Sequence, residues 1–240
     1  MTNNFDDALP IIKKHFQEIF KVCNGKFIDG CGSYLFDGKT YQYSDDYYDK
    51  QKLLFEKSVN KKKILEIGTY MGHSTLIMLS ANPKLNITTI DIDDNYAKAS
   101  IDYLKNEYPH SNIEFIHEDS LSALKKLSKK FDFFHIDGSH KNKMITKEFN
   151  YCKKLINSEN FELIFDDDIT CKTLVSNIES SFKILEKQTK GQNIYTNLYF
   201  SIELPINKYK LILKNIEFNL KNLASYFIFK IKKLIKFKKI

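Results

Sequence analysis

Apolar positions recur along this chain with two alternating periods. Ile11, Ile12, Phe16, Ile19 and Phe20 return at helical spacing over residues 10–24, and Leu53, Leu54 and Val59 do so over 47–59. From residue 64 onward, short apolar runs alternate with longer amphipathic stretches. The runs predict strands at 64–67, 87–91, 113–117, 132–136 and 162–166. The stretches predict helices at 73–81, 94–107, 120–129, 140–156 and 170–187. Met144, Ile145, Phe149, Cys152 and Ile156 share one side of the fourth of these. Leu174, Ile178, Phe182 and Leu185 share one side of the fifth. Strand–helix alternation with short connections predicts an α/β fold, a doubly wound and mostly parallel sheet with helices on both faces. In such a sheet a ligand lies beyond the carboxyl ends of the strands. Residues 192–203 predict one or two short strands closing the sheet edge. The chain divides into a helix and Tyr-rich segment (1–50), the α/β domain (51–205) and a final Lys-rich helix (206–240).

Residues 25–50 break the alternation. Gly25, Gly30, Gly32 and Gly38 are interleaved with Tyr34, Phe36, Tyr41, Tyr43, Tyr47 and Tyr48, and Phe36–Thr40 has hairpin-turn chemistry. Two readings stand: a hairpin whose tyrosines pack on the core, or a lid whose aromatic faces and hydroxyl tips meet a sugar or aromatic ligand.

The chain has 240 residues, 42% of them hydrophobic and 14% aromatic, enough for one sizeable core. All 37 basic residues are Lys. The absence of Arg argues against a nucleic-acid partner, because bidentate base and phosphate contacts favour guanidinium. The net charge of +7 is uneven: residues 206–240 carry ten Lys and one Glu, and the remainder is slightly acidic. Cys23, Cys31, Cys152 and Cys171 form no Cys-x-x-Cys pair, and no signal peptide or long apolar run is present. Free thiols in a reducing, cytoplasmic setting are expected.

Candidate chemistry begins at Glu66-Ile67-Gly68-Thr69-Tyr70-Met71-Gly72-His73-Ser74, directly after the first strand. A strand, a Gly turn and a helix present backbone N–H groups at a helix N-terminus. Gly68 permits the turn, and Gly72 lets a ligand approach the main chain. The spacing is not G-x-G-x-x-G, and an acid two residues before the first Gly suits an ammonium rather than a pyrophosphate. A βα turn without a ligand is the plain alternative. The segment resembles motif I of class I S-adenosylmethionine-dependent methyltransferases, above all the catechol and metal-dependent sugar O-methyltransferases. The resemblance covers about residues 50–200 and implies a Rossmann-like methyltransferase fold. It also implies that Glu66, Gly68, Tyr70, Gly72 and Ser74 hold the methionine end of the cofactor.

Other acids fall at predicted strand ends. Asp91 follows the second strand in Ile90-Asp91-Ile92-Asp93-Asp94. A carboxylate there can accept ribose hydroxyls, and the resemblance places Ile92 beside adenine. Asp119 and Ser120, after the third strand, match the position that reads the adenine edge, and Asp119 suits a helix N-cap equally well. The fourth strand ends in Asp137-Gly138-Ser139-His140, and the fifth in Asp166-Asp167-Asp168. Neighbouring strands would bring these carboxylates together, and close carboxylates repel unless protonated or sharing a cation. By the resemblance Asp137, Asp166 and Asp167 hold Mg²⁺, with acidic strand ends in a metal-free enzyme as the alternative. His140 stands where catechol O-methyltransferase has Lys, and an imidazole suits the general base for a bound hydroxyl. A His that merely opens a helix is the plain alternative.

The implied activity is methylation of a sugar, glycan or other small-molecule hydroxyl, with Asp137 and His140 catalytic. The alternative is a non-catalytic cofactor-binding protein attached to a membrane or partner. In the last segment Leu213, Ile216, Leu220, Leu223, Phe227, Ile231 and Leu234 share a helical face with lysines mostly opposite. A basic amphipathic helix suits the inner membrane face or a partner groove, and docking on its own domain or on a second copy stays open.

Overall fold

The computed structural model describes residues 4–139, 141–166, 168–192, 195–205 and 208–237. The expected alternation forms one seven-stranded sheet. Helix α1 (Phe5–Val22) comes first, then a 3₁₀ turn (Asp45–Tyr47) and α2 (Tyr48–Ser58). The βα units follow: β1 (Lys63–Ile67), α3 (His73–Ala81), β2 (Asn86–Asp91), α4 (Ala97–Glu107), β3 (Asn112–His117) and α5 (Ser120–Lys126). They continue with β4 (Phe133–Ile136), α6 (Asn142–Cys152), β5 (Asn160–Asp166) and α7 (Asp168–Ser181). A hairpin of β6 (Lys183–Gln192) and β7 (Tyr195–Glu203) precedes α8 (Lys208–Phe237).

The strand order is β3-β2-β1-β4-β5-β7-β6. The first five strands are parallel, and β7 closes onto β5 antiparallel. The order reverses between β1 and β4, so a crevice opens where their two following loops diverge. Two apolar layers cover the sheet. One joins α1, α2, α3 and α4 through Phe5, Phe16, Phe55, Leu76 and Leu104. The other joins α5, α6, α7 and α8 through Leu124, Phe149, Ile178 and Phe218.

Two expectations are corrected. The predicted helix over 170–187 ends at Ser181, and Leu185 lies on β6, so the edge is a two-stranded hairpin that begins within the stretch expected to be helical. Local pattern could not show this, because Ile184 and its neighbours gain their bonds from β7 across the turn. Phe36–Thr40 is a loop, not a β-hairpin; Asp37 Oδ1 accepts from the N–H groups of Lys39 and Thr40. In the first 50 residues, α1 and residues Tyr34–Phe36 belong to the core beside α3. No helix among the described residues is long and apolar enough to cross a membrane.

Candidate active site

Register places the chemistry. Ile67 pairs with Ile90 on one side and with Ile136 on the other, and Ile136 pairs with Phe165. Gly68, Asp91, Asp137 and Asp166 therefore emerge together at the carboxyl edge of four adjacent strands. They line one cavity of about 590 Å³, with Ser33, Tyr34 and Lys50 from the segments before β1.

The turn after β1 is shaped by contact with β4. Gly68 has φ +93°, and a Cβ on it would lie 2.3 Å from the Asp137 carbonyl oxygen. Only a glycine lets the two strand ends come so close. Asp91 then closes the turn: its Oδ2 accepts from the N–H groups of Thr69 (2.8 Å) and Tyr70 (2.7 Å). Its Oδ1 accepts from Asp93 N–H at 3.0 Å. Residues 65–167 match the family described as "Methyltransferase domain".

Over that span the chain is similar to a methyltransferase domain. It is 36% identical over 85 residues to a protein named as a caffeoyl-CoA O-methyltransferase from Arabidopsis thaliana, covering 34% of this chain and 37% of that one. It is 27% identical over 154 residues to the malonyl-[acyl-carrier protein] O-methyltransferase of Acetivibrio thermocellus, covering 64% of this chain and 44% of that one. The chain thus spans less than half the length of these curated relatives. Among solved structures, the Bacillus cereus O-methyltransferase in complex with S-adenosylhomocysteine superposes with a TM-score of 0.56 at 16% identity, over 79% of this chain and 90% of that one. That likeness shows the fold.

Within the matched span, Gly68, Tyr70, Ser74, Asp91, Ile92, Asp119, Ser120, Asp137 and Asp166 all line the cavity. His140 and Asp167 lie outside the described residues. Two cofactor expectations are corrected. Glu66 does not reach out to an ammonium; it is sealed beneath the turn. Its carboxylate accepts from the hydroxyls of Ser74 (2.6 Å), Thr75 (2.5 Å) and Thr89 (2.7 Å), with His135 Nδ1 at 3.2 Å. These contacts hold the start of α3 onto β1 and leave the acid no lone pair facing the cavity. Gly72 does not face the ligand either. A Cβ there would point at Ser100, Ile101 and Leu104 of α4, and its φ of +70° makes it the left-handed cap of α3.

The tyrosines of the 25–50 segment serve packing more than they serve a ligand. The Tyr41 hydroxyl donates to the Phe16 carbonyl and meets His73 Nε2, and the Tyr43 hydroxyl donates to Gln51. Tyr34 does reach the cavity, but its hydroxyl donates to Asn197 Oδ1 (2.9 Å) and meets His135 Nε2 (2.8 Å). Burial pushes this phenol well up, and the nearby negative charges of Asp166 and Asp137 add to the shift. The same field reaches Cys31, whose thiol is raised by burial and then by Asp137 and Asp91. The acids thus act on common neighbours. The segment roofs the cavity through Ile28–Tyr34. It is pinned by buried His73, whose Nδ1 meets Ser33 Oγ at 2.6 Å and whose pKa burial lowers to about 3.

Sequence reasoning missed two cavity residues. Lys50, on α2, is 2% exposed; its ammonium lies 2.6 Å from Asp166 Oδ1 and 4.3 Å above the Tyr34 ring. The two charges form a buried ion pair. Glu148, on α6, is buried; Oε1 accepts from Ser120 Oγ at 2.6 Å, while Oε2 has no hydrogen-bond partner among the described atoms. Burial raises its pKa above the usual carboxylate value. One signal was available for both. Each charge sits on the apolar side of its helix, Lys50 at i−3 from Leu53 and Glu148 at i+3 from Ile145.

Proposed function

We propose that this protein moves the sulfonium methyl of S-adenosylmethionine to a hydroxyl of a sugar or another small polyhydroxylated molecule. The observation that carries this reading is continuity: the cavity beside Gly68 and Asp91 also holds Asp137, Asp166 and Lys50. Cofactor and acceptor chemistry would therefore share one chamber. The methionine carboxylate would take the open N–H groups at the start of α3, where His73 and Ser74 line the cavity. Asp91 already accepts three N–H bonds, which leaves it one lone pair for a ribose hydroxyl unless those bonds are shared. Ile92, 71% exposed at the rim, would cover adenine, with Asp119 and Ser120 along its edge.

Oxygen attack on the methyl forms the C–O bond as the S–C bond breaks, leaving S-adenosylhomocysteine. The protein must orient the hydroxyl and take its proton. Asp137 is the described carboxylate placed for that, and His140 is proposed beside it from its sequence position. Mg²⁺ on Asp137, Asp166 and Asp167 would suit hard oxygen donors. Yet Asp166 already has a buried ammonium against it, and no three His, Cys, Asp or Glu side chains converge as a ligand set among the described residues. As arranged, the described pair Asp137 and Asp166 does not by itself fit the metal. Lys50 supplies the positive charge instead, stabilising oxyanion character as the hydroxyl loses its proton.

The test is transfer from methyl-labelled S-adenosylmethionine to a panel of sugars and catechols, with and without chelator. Turnover persists in chelator, and Asp137→Ala lowers it about a hundredfold or more, while calorimetric cofactor affinity stays near that of the wild type. Activity lost to chelator and restored by Mg²⁺ would reinstate the metal. Tight cofactor binding with no transfer to any acceptor would leave a non-catalytic binding protein.

A further inference from the structure

Helix α8 is mounted the reverse way round. Its inward side is mostly polar. Asn215 Oδ1 accepts from Lys153 Nζ (2.7 Å), Asn219 Oδ1 from Asn150 Nδ2 (2.9 Å), and Asn222 Oδ1 from Asn177 Nδ2 (2.9 Å). Among the described side chains of α8, Phe218 is the one large apolar group fully buried, against Phe149 and Phe182 at ring distances of 5.3 and 5.6 Å. The outward side carries Leu213, Ile216, Leu220, Leu223, Phe227 and Ile231, at spacings of three and four. At 100° per residue these six fall within an arc of about 80° centred opposite Phe218. Leu213 is 65% exposed, Leu220 60% and Phe227 54%. A helix ordinarily turns its apolar stripe to the core and its amides to water. Here the domain takes the amides and the stripe is left outside, the mark of a surface made to be covered.

Charge selects the cover. Residues 206–240 hold ten lysines and one acid. That acid, Glu217, already carries Lys214 (3.2 Å) and Lys221 (2.7 Å). A second copy laid along the stripe would bring two strongly basic segments together. An anionic lipid surface offers opposite charge to the lysines and an acyl layer to Leu, Ile and Phe. We propose that α8 seats this protein on an anionic bilayer surface, lying flat with the Leu213–Ile231 stripe against the lipid.

The experiment uses the full chain with vesicles of phosphatidylcholine alone and of phosphatidylcholine mixed with phosphatidylglycerol. Sedimentation is expected with the anionic mixture only, weakening as salt is raised. The double substitution Leu220→Glu and Phe227→Glu lowers binding more than tenfold, and Leu220→Met with Phe227→Leu retains it. Both positions are exposed, so circular dichroism and cofactor affinity stay unchanged; should the Glu pair lower helicity, Leu220→Ser with Phe227→Ser takes its place. Deleting residues 206–240 is a poorer probe, because it also uncovers Phe149 and Phe182. Three results would each overturn the proposal. One is equal binding by the charged-stripe variant. Another is no binding of the wild type to anionic vesicles. The third is a wild-type dimer that the stripe substitutions dissociate and that ignores lipid.

Discussion

Lys50→Met tests the acceptor side of the cavity most directly. The substitution keeps the length of the apolar stem and deletes the ammonium. Asp166, 10% exposed, then keeps its charge with no counterion at 2.6 Å, inside a wall that also includes Asp137 and the Tyr34 ring. Forming a buried ion pair gains little net free energy, but removing one partner costs about 3–5 kcal/mol, because the remaining charge stays desolvated. For a domain with roughly 5–15 kcal/mol of stability, that is a large fraction. Guanidinium unfolding at neutral pH is the assay, with the midpoint and slope fitted for wild type, Lys50→Met, Asp166→Asn and the double variant. The double variant returns to within about 1–2 kcal/mol of wild type, since no charge is left stranded. A loss below about 1 kcal/mol for Lys50→Met would refute the reasoning: the pair would be solvated, and Asp166 would be open to another cation. The same series reads function. Lys50→Met loses turnover while cofactor affinity holds, because its contacts lie with Asp166 and Tyr34 and away from Asp91. Mg²⁺ that stabilised Lys50→Met but not the wild type would show lysine and metal competing for one seat.

Gly68→Ala forces a Cβ to 2.3 Å from the Asp137 carbonyl at a φ of +93°, so it should cost roughly 3 kcal/mol or more in chemical unfolding and weaken cofactor binding as the β4 end moves away. His73 has a folded pKa of about 3 against 6.5 unfolded, so its contribution is whole above pH 6.5 and drains away as pH falls toward 3. That amounts to something on the order of 5 kcal/mol, and His73→Gln should flatten the acid limb of a stability–pH profile. Lys153, buried among Phe149, Phe182 and Phe218, is pulled down to about 7 by burial. Its unfolded value is higher, so the cost of burying the ammonium is full below pH 7 and fades as pH rises toward 10.5. Lys153→Met should raise the melting temperature at pH 7 and below, by an amount equivalent to roughly 1 kcal/mol or more, and should lose that advantage in alkali.

Much of this protein is readable from its sequence, because the relevant signals are local. Ile64–Ile67 is a buried strand whatever surrounds it, the stretch after Gly72 is a helix, and alternation of such units has essentially one stable layered solution. That solution exposes the residues just past each strand, which is why Gly68, Asp91, Asp119, Asp137 and Asp166 could be placed at the ligand edge from their positions, with their roles supplied by the family resemblance. What an acid or a glycine does once there was not legible. Glu66 and Asp91 are both carboxylates near one turn, yet three hydroxyls and a histidine from other elements enclose Glu66, while backbone N–H groups hold Asp91 at the cavity wall. Gly72 answers to α4 rather than to a ligand, a contact with residues about thirty positions away. Lys50 meets Asp166 across 116 positions, so the question of which cation sits at the acids belonged to the packing of α2 against the sheet. The direction in which α8 faces was tertiary as well. Periodicity shows that a helix has an apolar stripe; only the surface it docks on, here asparagines and one aromatic pocket, decides whether that stripe turns inward or is left for another phase.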